Sequence, residues 1–120
     1  MSIRTTLALA AALALTATVA AAHPHVVSAT PAANGEVSGS PKDIRIKFNE
    51  APFAKFSGVV VKDAAGKTVK TGKTTVDAKD KTQLVVPVDQ TLAPGVYKVT
   101  WHASGSDTHK VDGTYSFTVK

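Results

Sequence analysis

Cysteine is missing from all 120 residues, and the single methionine is Met1. The first absence excludes a disulfide framework, a thiolate zinc site and thiol-based nucleophilic catalysis. The second leaves no thioether after residue 1, so the sulfur donors that select soft metal ions are wanting throughout the chain. Aromatic residues are scarce at 6%, with one tryptophan, and they do not alternate with basic side chains as they do on a nucleic-acid surface. The formal charge of +5 rests on lysines at 42, 47, 55, 62, 67, 70, 73, 79 and 81 that are interleaved with acids rather than clustered. That distribution favours solubility and protection of strand edges over nucleic-acid binding. No amphipathic helical period and no long apolar run appears after residue 22.

The one apolar run lies before that point. Arg4 is followed by Leu7 to Ala22, built only of Ala, Leu, Thr and Val, and Ala20-x-Ala22 supplies a small-residue cleavage signature. This is the pattern of a secretory signal peptide. The run falls short of the roughly 20 apolar residues of a bilayer span, and no stop-transfer pattern follows it. The expectation is a signal peptide over 1–22, cleavage after Ala22, and an exported domain over 23–120 that is not embedded in a membrane and begins with His23. Such a domain is one folding unit with a modest core.

From residue 23 onward the chain reads as short strands separated by turns. Asp43 to Phe48 alternates strictly, with Ile44, Ile46 and Phe48 on one face. Ser57 to Lys62 carries Val59-Val60-Val61, which predicts a strand buried on both sides. Ala64-Ala65-Gly66 is a turn leading to two weaker strands around Thr68–Thr71 and Thr74–Asp77. Gln83 to Val88 is a further strand, in which Pro87 predicts an edge position or a bulge. Val96 to His102 points Tyr97, Val99 and Trp101 inward and His102 outward. Thr114 to Val119 places Tyr115, Phe117 and Val119 on the opposite core wall. With a first strand near Val26-Val27-Ser28 the count is about seven, at the spacing of a sandwich or barrel. The predicted fold is all-β, a seven-stranded Greek-key immunoglobulin-like β-sandwich, with a small closed barrel as the alternative.

Two parts of the chain carry metal-ligating chemistry. Ser106-Asp107-Thr108-His109 is an Asp-x-His segment, and in extended backbone Asp107 and His109 project to the same side. Imidazole and carboxylate together suit borderline ions such as copper(II) or zinc. At the other end, an amino-terminal His23 offers its α-amine and ring Nδ1 to one ion, a chelate that no internal histidine can make. Both donors must be deprotonated to bind, so binding releases protons and weakens in acid. A free amine with histidine in third place often wraps copper(II) through deprotonated backbone amides, but here Pro24 has no amide hydrogen to lose. His25 is then a reserve ligand or merely the residue that opens a strand.

His23-Pro24-His25, Ser28-Ala29-Thr30-Pro31-Ala32, Phe48-Asn49-Glu50, Phe56-Ser57-Gly58, Leu92-Ala93-Pro94-Gly95-x-Tyr97-x-Val99-x-Trp101 and Ser106-Asp107-Thr108-His109 together resemble the CopC family of periplasmic copper-binding proteins. The resemblance spans essentially the whole of 23–120. It implies a Greek-key β-barrel or sandwich, a periplasmic location and a copper(II) site. In that site His23 gives amine and ring nitrogen, His109 a second imidazole, Asp107 a carboxylate at or beside the metal, and Glu50 a neighbouring carboxylate or else an exposed turn. It further implies a monomeric carrier or buffer in copper resistance, homeostasis or uptake, working with an inner-membrane copper transporter of the CopD type. Some members carry a second, methionine-rich copper(I) site, for which this chain after residue 1 has no ligands.

Two other readings stay open at this stage. An amino-terminal histidine brace on a β-sandwich also looks like the lytic polysaccharide monooxygenases, although 98 residues leave little chain for a flat substrate surface. In the other, Asp107 and His109 are ordinary loop residues of a secreted interaction domain that binds no metal. The preferred reading is not an enzyme.

Overall fold

Period-two alternation commits these segments to strands with one apolar face, and the computed structural model shows which faces meet. It describes residues 24–105 and 109–120. The strands are β1 (Val26–Thr30), β2 (Glu36–Val37), β3 (Asp43–Phe48), β4 (Gly58–Lys62), β5 (Thr75–Val76), β6 (Gln83–Pro87), β7 (Gly95–Ser104) and β8 (Lys110–Val119). A single 3-10 turn, Ala54–Phe56, precedes β4. Two four-stranded sheets result, ordered β1-β3-β6-β5 and β2-β8-β7-β4. The pairings are antiparallel except where β2 lies parallel to the end of β8. This is the all-β sandwich predicted from the sequence, with eight described strands, two of them only two residues long.

The predicted inward faces hold. Ile44, Ile46 and Phe48 of the first sheet pack against Val59, Val61, Tyr97, Val99, Trp101, Phe117 and Val119 of the second, all buried in one core. Aromatic contacts order that core. Phe48 meets Trp101 edge to face with ring centroids 5.1 Å apart, joining the two sheets near the end where β3 and β7 finish. Tyr97 stacks on Phe117 at 5.6 Å, and its hydroxyl donates to the carbonyl of Ala93 at 2.7 Å, bracing the turn ahead of β7. The Tyr115 hydroxyl oxygen is buried without a hydrogen-bond partner among the described residues, and burial pushes its pKa up to about 12.

Four details differ from the sequence reading. β8 is not on the opposite wall from β7. It is hydrogen-bonded beside β7 over ten residue pairs, since the short connection between them closes an antiparallel hairpin. Val60 is 43% exposed, so β4 is buried on one face only; the run of three valines reflects β-branched preference on both faces. The weak strands around Thr68–Thr71 and Thr74–Asp77 reduce to β5 and to isolated bridges from Thr68 to Lys62 and from Thr71 to Val88. Pro87 ends β6, an interior strand. Its carbonyl accepts from Gly72, so its nitrogen faces the same side, where β5 no longer continues and no ladder donor is needed.

Gly113 stands opposite Trp101 in the β7–β8 ladder, and a Cβ there would lie 2.5 Å from Cζ2 of the indole. The buried ring is held by Phe48 and has little room to yield. Gly113→Ala is therefore expected to lower stability by about 1–3 kcal/mol in urea denaturation, the range of overpacked cores.

Candidate metal centre

The topology brings the start of β1, the end of β3, the end of β7 and the start of β8 to one end of the sandwich. Val26 pairs with Phe48, and His25 and Asn49, just beyond them, close the ladder with two further bonds. The Asn49 amide donates to the carbonyl of His25 at 3.0 Å, and the His25 amide donates to Asn49 Oδ1 at 2.6 Å. His25 is thus fixed beside Asn49, the residue before Glu50. On the other side, the Phe53 amide donates to the carbonyl of Ser104 at 2.9 Å, and the Ser104 amide to Ser57 Oγ at 3.4 Å. The segment after β3 is thereby tied to the last residue of β7, next to the loop that leads to His109.

Glu50 is the residue with the clearest chemical tension. Its Oε1 is buried and has no hydrogen-bond partner among the described residues. Leaving a buried acceptor unmade costs about 1–3 kcal/mol, more for a charged group. That observation disfavours the exposed-turn reading of Glu50. A cation held at this end would supply the missing partner, and the donor types offered here, carboxylate and imidazole, fit a borderline divalent ion.

The other predicted residues divide between those the structure describes and those it does not. His109 is exposed, at the threshold of β8. His23 and Asp107 lie outside the described residues, as do the proposed signal peptide and its cleavage point. Among the described residues no three His, Cys, Asp or Glu side chains gather into a metal-holding group. His25 is exposed and lies just ahead of β1, its backbone already engaged by Asn49. His102 is exposed on the outer face of its sheet, between its cross-strand neighbours Gly58 and Asp112. That is the outward orientation its register predicted.

Comparison with known proteins bears on this end of the molecule and on the fold as a whole. Residues 26–120 match the CopC domain family. The chain belongs to the CopC family. It is 37% identical to Protein YobA of Escherichia coli K12 over 99 residues, covering 82% of this chain and 80% of that one. It is 35% identical to Copper resistance protein C of Pseudomonas syringae pv. tomato over 112 residues, covering 88% and 87%. The crystal structure of PcoC, a methionine-rich copper resistance protein from Escherichia coli, superposes with a TM-score of 0.76 at 34% identity, covering 82% of this chain and all of that one. This CopC-family chain thus combines the fold of a methionine-rich relative with no methionine after Met1.

Sequence reasoning did not find Asn49. Its signal was present, since an asparagine directly after a strand often bonds nearby backbone through its side chain, but nothing in the sequence showed that the backbone would be that of His25. For Glu50 the burial gives a direct test. Glu50→Leu is expected to leave the metal-free protein as stable as the parent or more so, because a buried carboxylate oxygen without a partner among the described residues is removed. The same change should weaken copper(II) binding by at least about tenfold, one bond's worth of charge-assisted affinity. Urea denaturation and a copper(II) titration on the same preparation read both effects.

Proposed function

We propose that the exported chain, beginning at His23, is a periplasmic copper(II) carrier or buffer that binds one ion at this end of the sandwich and catalyses no reaction. The observation that carries the reading is the buried Oε1 of Glu50, without a hydrogen-bond partner among the described residues, beside the point where Asn49 clasps His25. In this scheme His23 contributes its α-amine and a ring nitrogen, His109 a second imidazole, and Asp107 a carboxylate at or beside the ion. Glu50 lies next to that set and offsets its charge. Copper here is cargo in resistance, homeostasis or uptake, passed to or from a membrane transporter of the CopD type by a monomeric protein.

The clasp also argues against the alternative amino-terminal mode. Wrapping copper(II) in backbone nitrogens needs the amides of the second and third residues. Pro24 has none to ionise, and the His25 amide is already committed to Asn49 Oδ1. The amine and ring of His23 are left to seek partners elsewhere in the fold. Every donor in the set is nitrogen or oxygen, so reduction to copper(I) loosens the ion, and a reductant or a partner with sulfur ligands can take it. A monooxygenase, by contrast, must keep copper through the reduced state.

Protein that starts at His23 is expected to bind one copper(II), and a version with one extra residue ahead of His23 to bind at least about a hundredfold more weakly, having lost the chelate that combines amine and ring. Ascorbate with a copper(I) chelator should strip the loaded protein completely. Equal affinity of the two forms, or retention of copper(I) together with oxidative cleavage of polysaccharide, would contradict the carrier.

A further inference from the structure

The Phe56-Ser57-Gly58 motif supplies none of the proposed copper ligands, yet it builds a second feature beside them. An open groove of about 400 Å³ is lined by Lys55, Phe56, His102, Ser104 and Lys110. Its floor depends on Gly58: a Cβ there would stand 2.5 Å from Cε1 of His102, so the absence of a side chain lets the imidazole lie flat against β4. Its wall is set by Ser57, whose Oγ accepts from the Ser104 amide. Phe56 forms the rim at 52% exposure, with Lys55 Nζ 5.7 Å from its ring centroid. Phe53, 45% exposed, is held close by through its bond to the Ser104 carbonyl.

This coincidence is informative because both described exposed phenylalanines of the protein stand here. Exposed aromatics grouped around a concavity mark a contact surface rather than ordinary solvated face. The charged side chains that line the groove among the described residues are both lysines, Lys55 and Lys110, with Asp112 across the ladder from His102. Lys73 adds a further cation on the far side of Lys55, where the two share an adjoining depression. Val60, outward-facing on β4 two residues beyond Gly58, continues the apolar strip.

We propose that this groove docks an acidic, partly apolar peptide segment of a partner protein, with carboxylates placed on Lys55 and Lys110 and an apolar side chain on Phe56. A protein segment is favoured over a lipid surface because the feature is concave and small, and its cations flank an aromatic rim instead of spreading over a flat face. Because Lys110 follows His109 directly, a segment held here lies at the mouth of the copper centre; the purpose of docking rests on the copper reading, although the docking itself does not.

The test uses metal-free protein beginning at His23 and the peptide acetyl-Glu-Glu-Leu-Glu-Glu-amide, followed by nitrogen-15 NMR at low salt. Amide shifts are expected at Lys55, Phe56, His102 and Lys110, falling away as salt is raised. Lys55→Glu and Phe56→Ser, both exposed positions that do not threaten the fold, should each weaken binding by at least about fivefold. Gly58→Ala should do the same by displacing His102. Copper(II) affinity of the Lys55→Glu and Phe56→Ser proteins, measured separately, should match the parent, so failure of the copper reading and failure of the docking are read by different titrations. No shift at these residues, equal binding of the lysine counterpart of the peptide, or equal shifts with vesicles of phosphatidylglycerol and phosphatidylcholine would overturn the proposal.

Discussion

The reciprocal pair of hydrogen bonds between His25 and Asn49 fixes the start of β1 against the end of β3, on which the proposed site depends. β1 is an edge strand of only five residues, and such a strand would fray from its first residue without a terminal bond. Asn49 supplies one from its side chain and one from its backbone. His25 is therefore held at the end of the sandwich at which β3 and β7 finish. A ligand set that includes the first residue of a chain needs this kind of anchor, because a free terminus would lose in ordering entropy much of what chelation gains.

The core and the metal end divide the energetic work. Phe48 and Trp101 join the sheets at the base of the site, with Gly113 leaving the indole its space, so the platform is made of close-packed apolar contacts. Above that platform lies a buried carboxylate oxygen without a partner among the described residues. Ion pairs such as Arg45 with Asp43 and Asp77 lie on the outer face of the first sheet and are half-exposed, where solvent screens them. Stability is thus held by the apolar platform, and one of the two buried polar atoms without a partner among the described residues lies where a cation would offset its cost.

The fold was largely legible because period-two patterning reports which face is apolar, and Ile44, Ile46, Phe48, Tyr97, Val99 and Trp101 all point where that pattern places them. Patterning cannot report which sheet a strand joins. β8 was set on the wrong wall for that reason, and hydrogen bonding to β7 through a short hairpin decided it. The valine triplet misled because β-branched residues suit both faces of a strand whether or not both are buried. At the site, the residue types that bind metal were visible in the sequence, and family resemblance added Glu50. Only three-dimensional structure could show that its oxygen is enclosed, or that Asn49 reaches across the sheet to a residue 24 positions away.

The central claim is that this end of the sandwich holds copper(II) through nitrogen donors from both ends of the chain. Pulsed electron paramagnetic resonance of the copper(II) protein beginning at His23 counts the coordinated imidazoles directly. The account predicts two, with one lost in His109→Ala and none in His102→Ala or His25→Ala. A single imidazole that survives His109→Ala, or a signal that disappears with His102, would contradict it.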